Sequence, residues 1–380
     1  MKILVLSHQS NKSGAPRLLL NIFPKLNKEE NVEVLFVLNK YQESAKEFIE
    51  KFNTEYFYID KYKFARKIFL RLSLYNSTKL WWFKRILKNF NPDLVYINTT
   101  GYNLLAEYVS KKGFNYLVHV HETDDTITKH PNTAYLEALM KSASLIIGCS
   151  GYVSKFIQGK FNVYNVKTIY ENIDIHRFSY KTDSSFRQLY NFSSSDVLVG
   201  VAGAPQFRKG TDLFIKAAIL FNQRHPDNNF KFIWVGGTTH TNKNEYYKFC
   251  MLLIEKSGFN NIQLIDQIDD IQNLYSALDL FVIPSREDPF PLAMLEAMYF
   301  KVPVIGSSAS GIPEALSDKC GIVFDSGNEQ SLSDVFERFL EDKREFIKYS
   351  QNAYNKFVES YSTEAVYPDF KKTILKLRQN

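Results

Sequence analysis

Cysteine is scarce in this chain: there are three, Cys149, Cys250 and Cys320, in 380 residues. An odd number spread so widely gives neither a disulfide framework nor the close spacing of a structural zinc site. A reducing cytoplasm is the simplest setting for it. No apolar run approaches the roughly 20 residues needed to cross a bilayer. The opening MKILVLSHQS carries one Lys and a short apolar run before a polar loop, so it reads as a first strand rather than a signal peptide. Signatures of common enzyme classes are missing as well. No GxGxxG follows the first strand, which argues against a dinucleotide dehydrogenase. No GxxxxGKS or GxxxxGKT is present, against a P-loop kinase, and no GxSxG elbow, against a hydrolase. Neither an Asp-x-Asp triplet nor HExxH occurs, so a required metal is not indicated. Internal repeats and low-complexity tracts are absent too.

What is present describes a globular chain: 45% hydrophobic and 15% aromatic residues over a length that suits two domains rather than one core. The net charge of +6 is unevenly placed. Residues 1–180 hold 25 Lys and Arg against 16 Asp and Glu, net +9, while residues 181–380 hold 22 against 25, net −3. The two halves therefore suit different partners. Apolar runs alternate with helical patterns nearly end to end. KILVLS, VEVLFVL, EYFYI, DLVYIN, YLVHV, LIIGCS and VKTIY read as strands in the first half, and DVLVGVAG, FKFIWVGG, IQLI, DLFVIPS, PVIGS and GIVFD in the second. PRLLLNIFPKL, NLLAEYVSKK and TAYLEALMKSA are helical stretches between them. Continuous apolar strands separated by helices imply parallel sheets covered on both faces, an α/β class of doubly wound, Rossmann-like domains. The seam is expected near Glu171–Tyr180, giving domains 1–176 and 177–361.

The most informative stretch is IPSREDPFPLAMLEAMYFKVPVIGS, residues 283–307. It sets Asp288 and Glu296 eight residues apart across a Pro-rich loop that opens a helix. A helix N-terminus offers free N–H groups and a positive dipole end to a phosphate. Glu296 lies further along the helix, at a rise of about 1.5 Å per residue. Two carboxylates so placed accept the paired hydroxyls of a hexose and a ribose, which points to a sugar nucleotide. Upstream, GVAGAPQFRKGTDLFIKAA puts the turn glycine Gly203 and the cations Arg208 and Lys209 between a strand and a helix, where a diphosphate needs neutralising.

The 283–307 pattern resembles the signature of the retaining glycosyltransferases of family 4, which have the GT-B fold of two Rossmann-like domains facing each other across a cleft. The family norm is a Glu, seven residues, a second Glu, then Ala-Met and a strand with Pro-Val-Ile. Here Asp288 takes the first position, preceded by Glu287, and Pro289, Phe290 and Pro291 replace a Gly-Phe-Gly turn. Two prolines remove two donors, leaving the amides of Phe290, Leu292 and Ala293 for phosphate, with Pro291 placed as a first helical residue. Lys209 and Gly210 match the family's Lys-Gly pair. Ala204 stands at its arginine position, with Arg208 as the candidate replacement. Ser13-Gly14-Ala15-Pro16 is similar to the family's N-terminal glycine loop, where Gly14 lets backbone approach the donor phosphate. His121, ending YLVHVHE on one strand face with His119, matches a cleft histidine near the reacting sugar, able to bond a hydroxyl or help take the acceptor's proton. ENID at 171–174 and SGIPE at 310–314 resemble the family's interdomain and Gly-Gly-Ile-Pro-Glu segments. Residues after about 362 correspond to its last helix, which returns to the first domain.

Residues 61–92 form a basic aromatic segment with nine Lys or Arg and no acid. Lys63, Arg66, Lys67, Arg71, Lys84 and Arg85, interleaved with Trp81 and Trp82, suit the interface of an anionic membrane. The expected fold and the acidic second half argue against nucleic acid. The resemblance implies a metal-independent transferase of hexosyl type that uses a UDP- or GDP-sugar as donor and no cofactor. Its catalytic groups would be His121, Arg208, Lys209 and Asp288, with Glu296 on the ribose. The acceptor would be a bacterial surface glycan on a lipid carrier, met by a cytoplasmic protein held at the inner face of the plasma membrane. Two other readings stay open: a non-catalytic relative that binds sugar nucleotide or membrane, and a sugar-nucleotide epimerase on the same scaffold.

Overall fold

The computed structural model describes residues 1–7, 14–38, 45–57, 62, 66–67, 70–101, 103–178, 185–236 and 245–378, in two compact units. The first comprises Met1–Asp174 with Thr363–Asn380, the second Ile175–Ser362.

In the first unit the strands are β1 (Lys2–Ser7), β2 (Glu33–Leu38), β3 (Thr54–Tyr56), β4 (Leu94–Asn98), β5 (Tyr116–Val120), β6 (Leu145–Gly148) and β7 (Val166–Thr168). They form one parallel sheet in the order β3-β2-β1-β4-β5-β6-β7. Leu4 of β1 lies between Leu35 of β2 and Val95 of β4. The central strands are apolar without alternation because helices cover both faces of the sheet. Every residue of β4 and β5 is buried. Several helix starts carry side-chain caps that give orphan amides an acceptor: Asn103 accepts from Leu105 N, Asn132 from Tyr135 N and Ser150 from Val153 N. Two helices, Tyr75–Phe90 and Gly151–Phe161, end on left-handed asparagines, Asn91 and Asn162.

The second unit contains β8 (Val197–Ala202), β9 (Phe230–Val235), β10 (Ile262–Ile265), β11 (Leu280–Ile283), β12 (Val304–Ser307) and β13 (Ile322–Phe324). Their parallel order is β10-β9-β8-β11-β12-β13. Its core is built on phenylalanine. Phe221 packs 4.6 Å from Phe230 and 5.8 Å from Phe232, and Phe232 lies 5.2 Å from Phe336. Each of the thirteen strand runs read from the sequence overlaps a strand of these two sheets, and residues 58, 59 and 237 of those runs lie outside the described residues. In each sheet the chain builds outward from the first strand, then returns to add strands on the other side. The order therefore reverses between β1 and β4, and between β8 and β11. Ligands of open parallel sheets bind outside the carboxyl ends of the strands at such a reversal.

The C-terminal helix Thr363–Lys376 belongs to the first unit. Phe370 is fully buried, with its ring 5.6 Å from Phe23, which in turn packs on Phe36 and Tyr96. At the rim Glu29 accepts from Lys371 at 2.6 Å and from Tyr367 at 2.5 Å. These bonds, the one from Lys371 foremost, hold the Glu29 carboxyl below its ordinary value. Their contribution is thus present at neutral pH and lost as acid protonates that group. Phe370→Ala should remove the aromatic anchor of this helix and lower unfolding free energy by about 3–5 kcal/mol. Urea denaturation followed by circular dichroism measures it, and a change below about 1 kcal/mol would mean the helix is not integral to the unit.

Candidate donor site at the sheet reversals

The loop after β8 and the loop after β11 start side by side, because those strands are neighbours. Gly203 follows β8 at φ +145°, a conformation open to glycine, and the place a Cβ would occupy there is open space. Its carbonyl accepts from Trp234 Nε1 at 2.6 Å. A single 3₁₀ turn, Phe207–Lys209, then leads to Gly210 at φ +75°, the cap of helix Thr211–Arg224. A Cβ on Gly210 would come within 1.9 Å of the Pro284 carbonyl oxygen. Glycine is thus required twice over, by the torsion and by the close passage of the two loops.

Hydrogen bonds join the loops along their length. Arg286 N donates to Arg208 O at 2.8 Å, and the Arg208 guanidinium donates to Glu287 O at 2.7 Å. Arg286 reaches back with two parallel bonds to Asp212, 2.7 and 2.9 Å, and lies 3.9 Å over the Phe207 ring. Burial raises the Asp212 pKa, but bonds from Arg286 and from Tyr246 outweigh it and hold the group below its ordinary value. Lys209 pairs directly with Asp288, and Arg208 stands 3.8 Å from the same carboxylate.

Beyond Asp288 the chain turns into helix Leu292–Tyr299. Pro291 is its cap in an extended conformation, not its first helical residue as expected. The first-turn amides of Leu292 and Ala293 have no intrahelical acceptor by geometry. The Phe290 side chain is buried, with its ring 5.3 Å from the Tyr361 ring. Glu296, one turn on, accepts from Tyr275 OH at 2.7 Å and pairs with Arg177. Burial, then the Glu296 charge, pushes the Tyr275 pKa well above its ordinary value, so it remains a donor.

The structure thus gathers Gly203, Arg208, Lys209, Glu287, Asp288, Phe290, Leu292, Ala293 and Glu296 at one sheet reversal. Two of the carboxylates already have partners: Asp288 is buried and ion-paired, and Glu296 is held by Arg177 and Tyr275. Arg286, Asp212, Tyr275 and Arg177 were not singled out in the sequence. Arg286, directly before the Glu287-Asp288 pair, carried the only local signal.

At the reversal in the first unit, a cavity of about 190 Å³ opens beside Ser7, Ala15, Asn98, Thr99, Glu122 and His130. Thr99 has φ +103°, a strained conformation for a β-branched residue and one that collects at functional sites. Gly14 begins helix Gly14–Leu26, and the residues before it, 8–13, lie outside the described chain. His121 follows β5, with Nδ1 2.6 Å from Glu171 Oε1 and Nε2 3.0 Å from Asn98 Oδ1. His121, Cys149 and Glu171 bring ligand atoms within 4.8 Å of one another. Two atoms bound to one tetrahedral zinc stand roughly 3.3 Å or more apart, given bonds of about 2.0–2.3 Å. The 2.6 Å separation of His121 and Glu171 is therefore that of a hydrogen-bonded pair.

The basic segment divides between surface and interior. Lys67, Arg71, Lys84 and Arg85 are exposed, and Trp81 is 62% exposed. Trp82 is half-buried 5.5 Å from Phe57, and Arg66 is half-buried over the Tyr75 ring. Lys79 turns inward and donates to Tyr75 OH at 3.2 Å. Lys63 lies outside the described residues. Among the described residues no helix is long and apolar enough to cross a membrane.

Two family models account for most of the chain: Glycosyltransferase Family 4 over residues 13–177 and Glycosyl transferases group 1 over residues 183–356. The lipopolysaccharide core biosynthesis mannosyltransferase LpsB of Rhizobium meliloti is 24% identical over 238 residues, 61% of this chain and 66% of that protein. The O-antigen biosynthesis glycosyltransferase WclY of Escherichia coli is 27% identical over 167 residues, 44% of each chain. The matched region thus spans about two thirds or less of these relatives. Among solved structures, HepE of Anabaena in complex with UDP superposes with a TM-score of 0.81 at 20% identity, covering 99% of this chain and 100% of that one. WaaG, a glycosyltransferase involved in lipopolysaccharide biosynthesis, superposes at 0.71 with 14% identity over 98% and 99% of the two chains. The two Rossmann-like sheets are those of the GT-B fold, and the chain belongs to glycosyltransferase family 4.

Proposed function

We propose that this chain is a retaining glycosyltransferase that moves a hexosyl unit from a UDP- or GDP-sugar to an acceptor hydroxyl during bacterial surface polysaccharide synthesis. The observation that carries this reading is the convergence of Arg208, Lys209 and the opening of helix Leu292–Tyr299 at the reversal between β8 and β11. Cationic side chains and helix amides at one point suit a diphosphate, and they stabilise the charge that develops on it as it leaves. In this reading side chains do that work without a metal, and no cofactor is needed. Stereochemical retention follows from the family alone.

The carboxylates fit the same chemistry. Without a diphosphate, Asp288 and Lys209 neutralise each other, so neither is a lone buried charge. A phosphate that draws Lys209 away frees the Asp288 oxygens for sugar hydroxyls. Glu287 lends its carbonyl to Arg208, and Glu296, held by Tyr275 and Arg177, presents its remaining lone pairs to the ribose diol. In the first unit, Gly14 and His121 stand at that unit's own sheet reversal, and His121 serves the acceptor. HepE has been solved with UDP and with UDP-glucose, and LpsB is named a mannosyltransferase, which supports a nucleotide-sugar donor here.

An acceptor on a lipid carrier calls for membrane attachment at the cytoplasmic face. Leu70, Leu72, Leu74 and Trp81 are exposed large apolar side chains, and Lys67, Arg71, Lys84 and Arg85 are exposed cations in the same segment. Each cation near an anionic surface contributes about 1 kcal/mol.

Three measurements test these assignments. Calorimetry with a panel of UDP- and GDP-sugars should find a donor, and Lys209→Ala should weaken it about 10–100-fold through loss of a charge-assisted contact. Unchanged affinity would remove Lys209 from the site, and tight binding without transfer or hydrolysis would identify a non-catalytic relative. Gly210→Ala should lower Tm and abolish donor binding together, because its Cβ meets a backbone carbonyl that cannot swing aside. A variant that keeps both would show the loops tolerate separation. In liposome pelleting with anionic vesicles, a variant with Arg71, Lys84 and Arg85 changed to Gln should lose about 100-fold in binding, from about 1 kcal/mol per charge. Binding indifferent to those charges counts against a membrane role for this segment.

A further inference from the structure

His121 and Glu171 are each 5% exposed at the side chain, and Nδ1 of the ring lies 2.6 Å from Glu171 Oε1. The other ring nitrogen, Nε2, lies 3.0 Å from Asn98 Oδ1. The orientation of that amide is set by its second bond, Nδ2 donating to the Ala15 carbonyl at 3.2 Å. Turned around, it would press its oxygen against that carbonyl. Both ring nitrogens therefore face acceptors, and an acceptor is satisfied only by an N–H. A ring with one proton would leave a lone pair against the carboxylate or against the amide oxygen, where burial makes an unmade bond costly.

The charge balance agrees. Glu171 Oε2 is buried without a hydrogen-bond partner among the described residues, and His121 is the ion-pair partner found for this carboxylate. A neutral ring would leave a buried anion uncompensated. Among the described residues, the other titratable groups in contact with the pair supply no competing cation. The His119 ring is 4.0 Å away, and burial, then the charge of His121, pushes its pKa far down, so it stays neutral. Tyr96, in contact with His119 Nδ1, is pushed well above its ordinary value by burial and then by Glu171, so it keeps its proton. The Cys149 thiol stands beside the pair, and Glu122 accepts the His121 backbone N–H at 3.0 Å.

We propose that Glu171 and Asn98 hold His121 as an imidazolium, so that this histidine serves the transfer reaction as a fixed positive charge and hydrogen-bond donor, not as the group that takes the acceptor's proton. The inference rests on the glycosyltransferase reading for its role in turnover. For the protonation state it rests on geometry alone. Glu171 is a positioning residue, acting through the ring. A ligand oxygen reaching the site replaces Asn98 Oδ1 as the partner of Nε2–H, with no proton transferred.

Histidine-labelled, full-length protein read by long-range ¹H–¹⁵N correlation tests it without any substrate. At neutral pH both His121 nitrogens should show protonated shifts, with the ring assigned by its loss in His121→Gln. In Glu171→Gln the ring should revert to one protonated and one bare nitrogen. With a donor in hand, the same variant should lose at least about tenfold in kcat, with the KM for donor moved less, the pattern of a lost charged donor. Glu171→Asp should restore part of it. A singly protonated ring in the wild type overturns the proposal even if Glu171→Gln fails to fold, as does stoichiometric zinc retained by the purified protein. A doubly protonated ring with undiminished kcat in a folded Glu171→Gln overturns its role in turnover while leaving the glycosyltransferase reading intact.

Discussion

The candidate donor site depends on two loops being pressed together until only a glycine fits between them. Gly210 passes the Pro284 carbonyl so closely that any Cβ would collide with backbone. On either side of that passage stands a buried carboxylate with its own cation, Asp212 with Arg286 and Asp288 with Lys209. Pulling the loops apart would leave two buried anions unpaired, a cost of several kcal/mol each. The loops consequently hold the 3₁₀ turn with Arg208 and Lys209 against the opening of helix Leu292–Tyr299. That contact brings two ordinary strand-to-helix connections together as the candidate anion site.

The same economy of charge recurs nearby. Asp288, Glu296 and Glu171, three acids around which the functional reading is built, each have a basic partner in place. Paired acids are ordered before a ligand arrives, and a ligand exchanges partners without exposing a bare charge. Aromatic packing steadies the partners. The Arg177 guanidinium sits 4.6 Å over Phe178, which stacks on Tyr299 at 5.5 Å and meets Phe300 at 5.1 Å. Tyr275, the other partner of Glu296, stacks on Phe300 at 5.6 Å. One aromatic cluster thus carries both groups that hold the Glu296 carboxylate.

The fold was legible because its strands are covered on both faces. Runs such as DLVYIN and DLFVIPS need no alternation to be recognised, and turn residues bound them. The site was legible as an address and less so as a state. The Lys209–Gly210 and Asp288…Glu296 spacings located the loops. Nothing local revealed that Lys209 and Asp288, 79 positions apart, would neutralise each other. Arg177 meets Glu296 across 119 positions, and His121 meets Glu171 across 50. Lys79 shows the same limit in the basic segment, where helical spacing from Tyr75 turned one of the seven described cations inward.

By itself, the sequence determined the element order, the parallel character of both sheets and the loops in which chemistry-bearing residues sit. Those properties follow from hydrophobic periodicity and turn chemistry, which act over a few residues. Tertiary structure alone decided which acid meets which base, which aromatic cluster supports Glu296, and that both nitrogens of His121 face acceptors. Such pairings arise only when strands distant in the chain become neighbours at a sheet reversal, and burial then makes an unpaired charge too costly to keep.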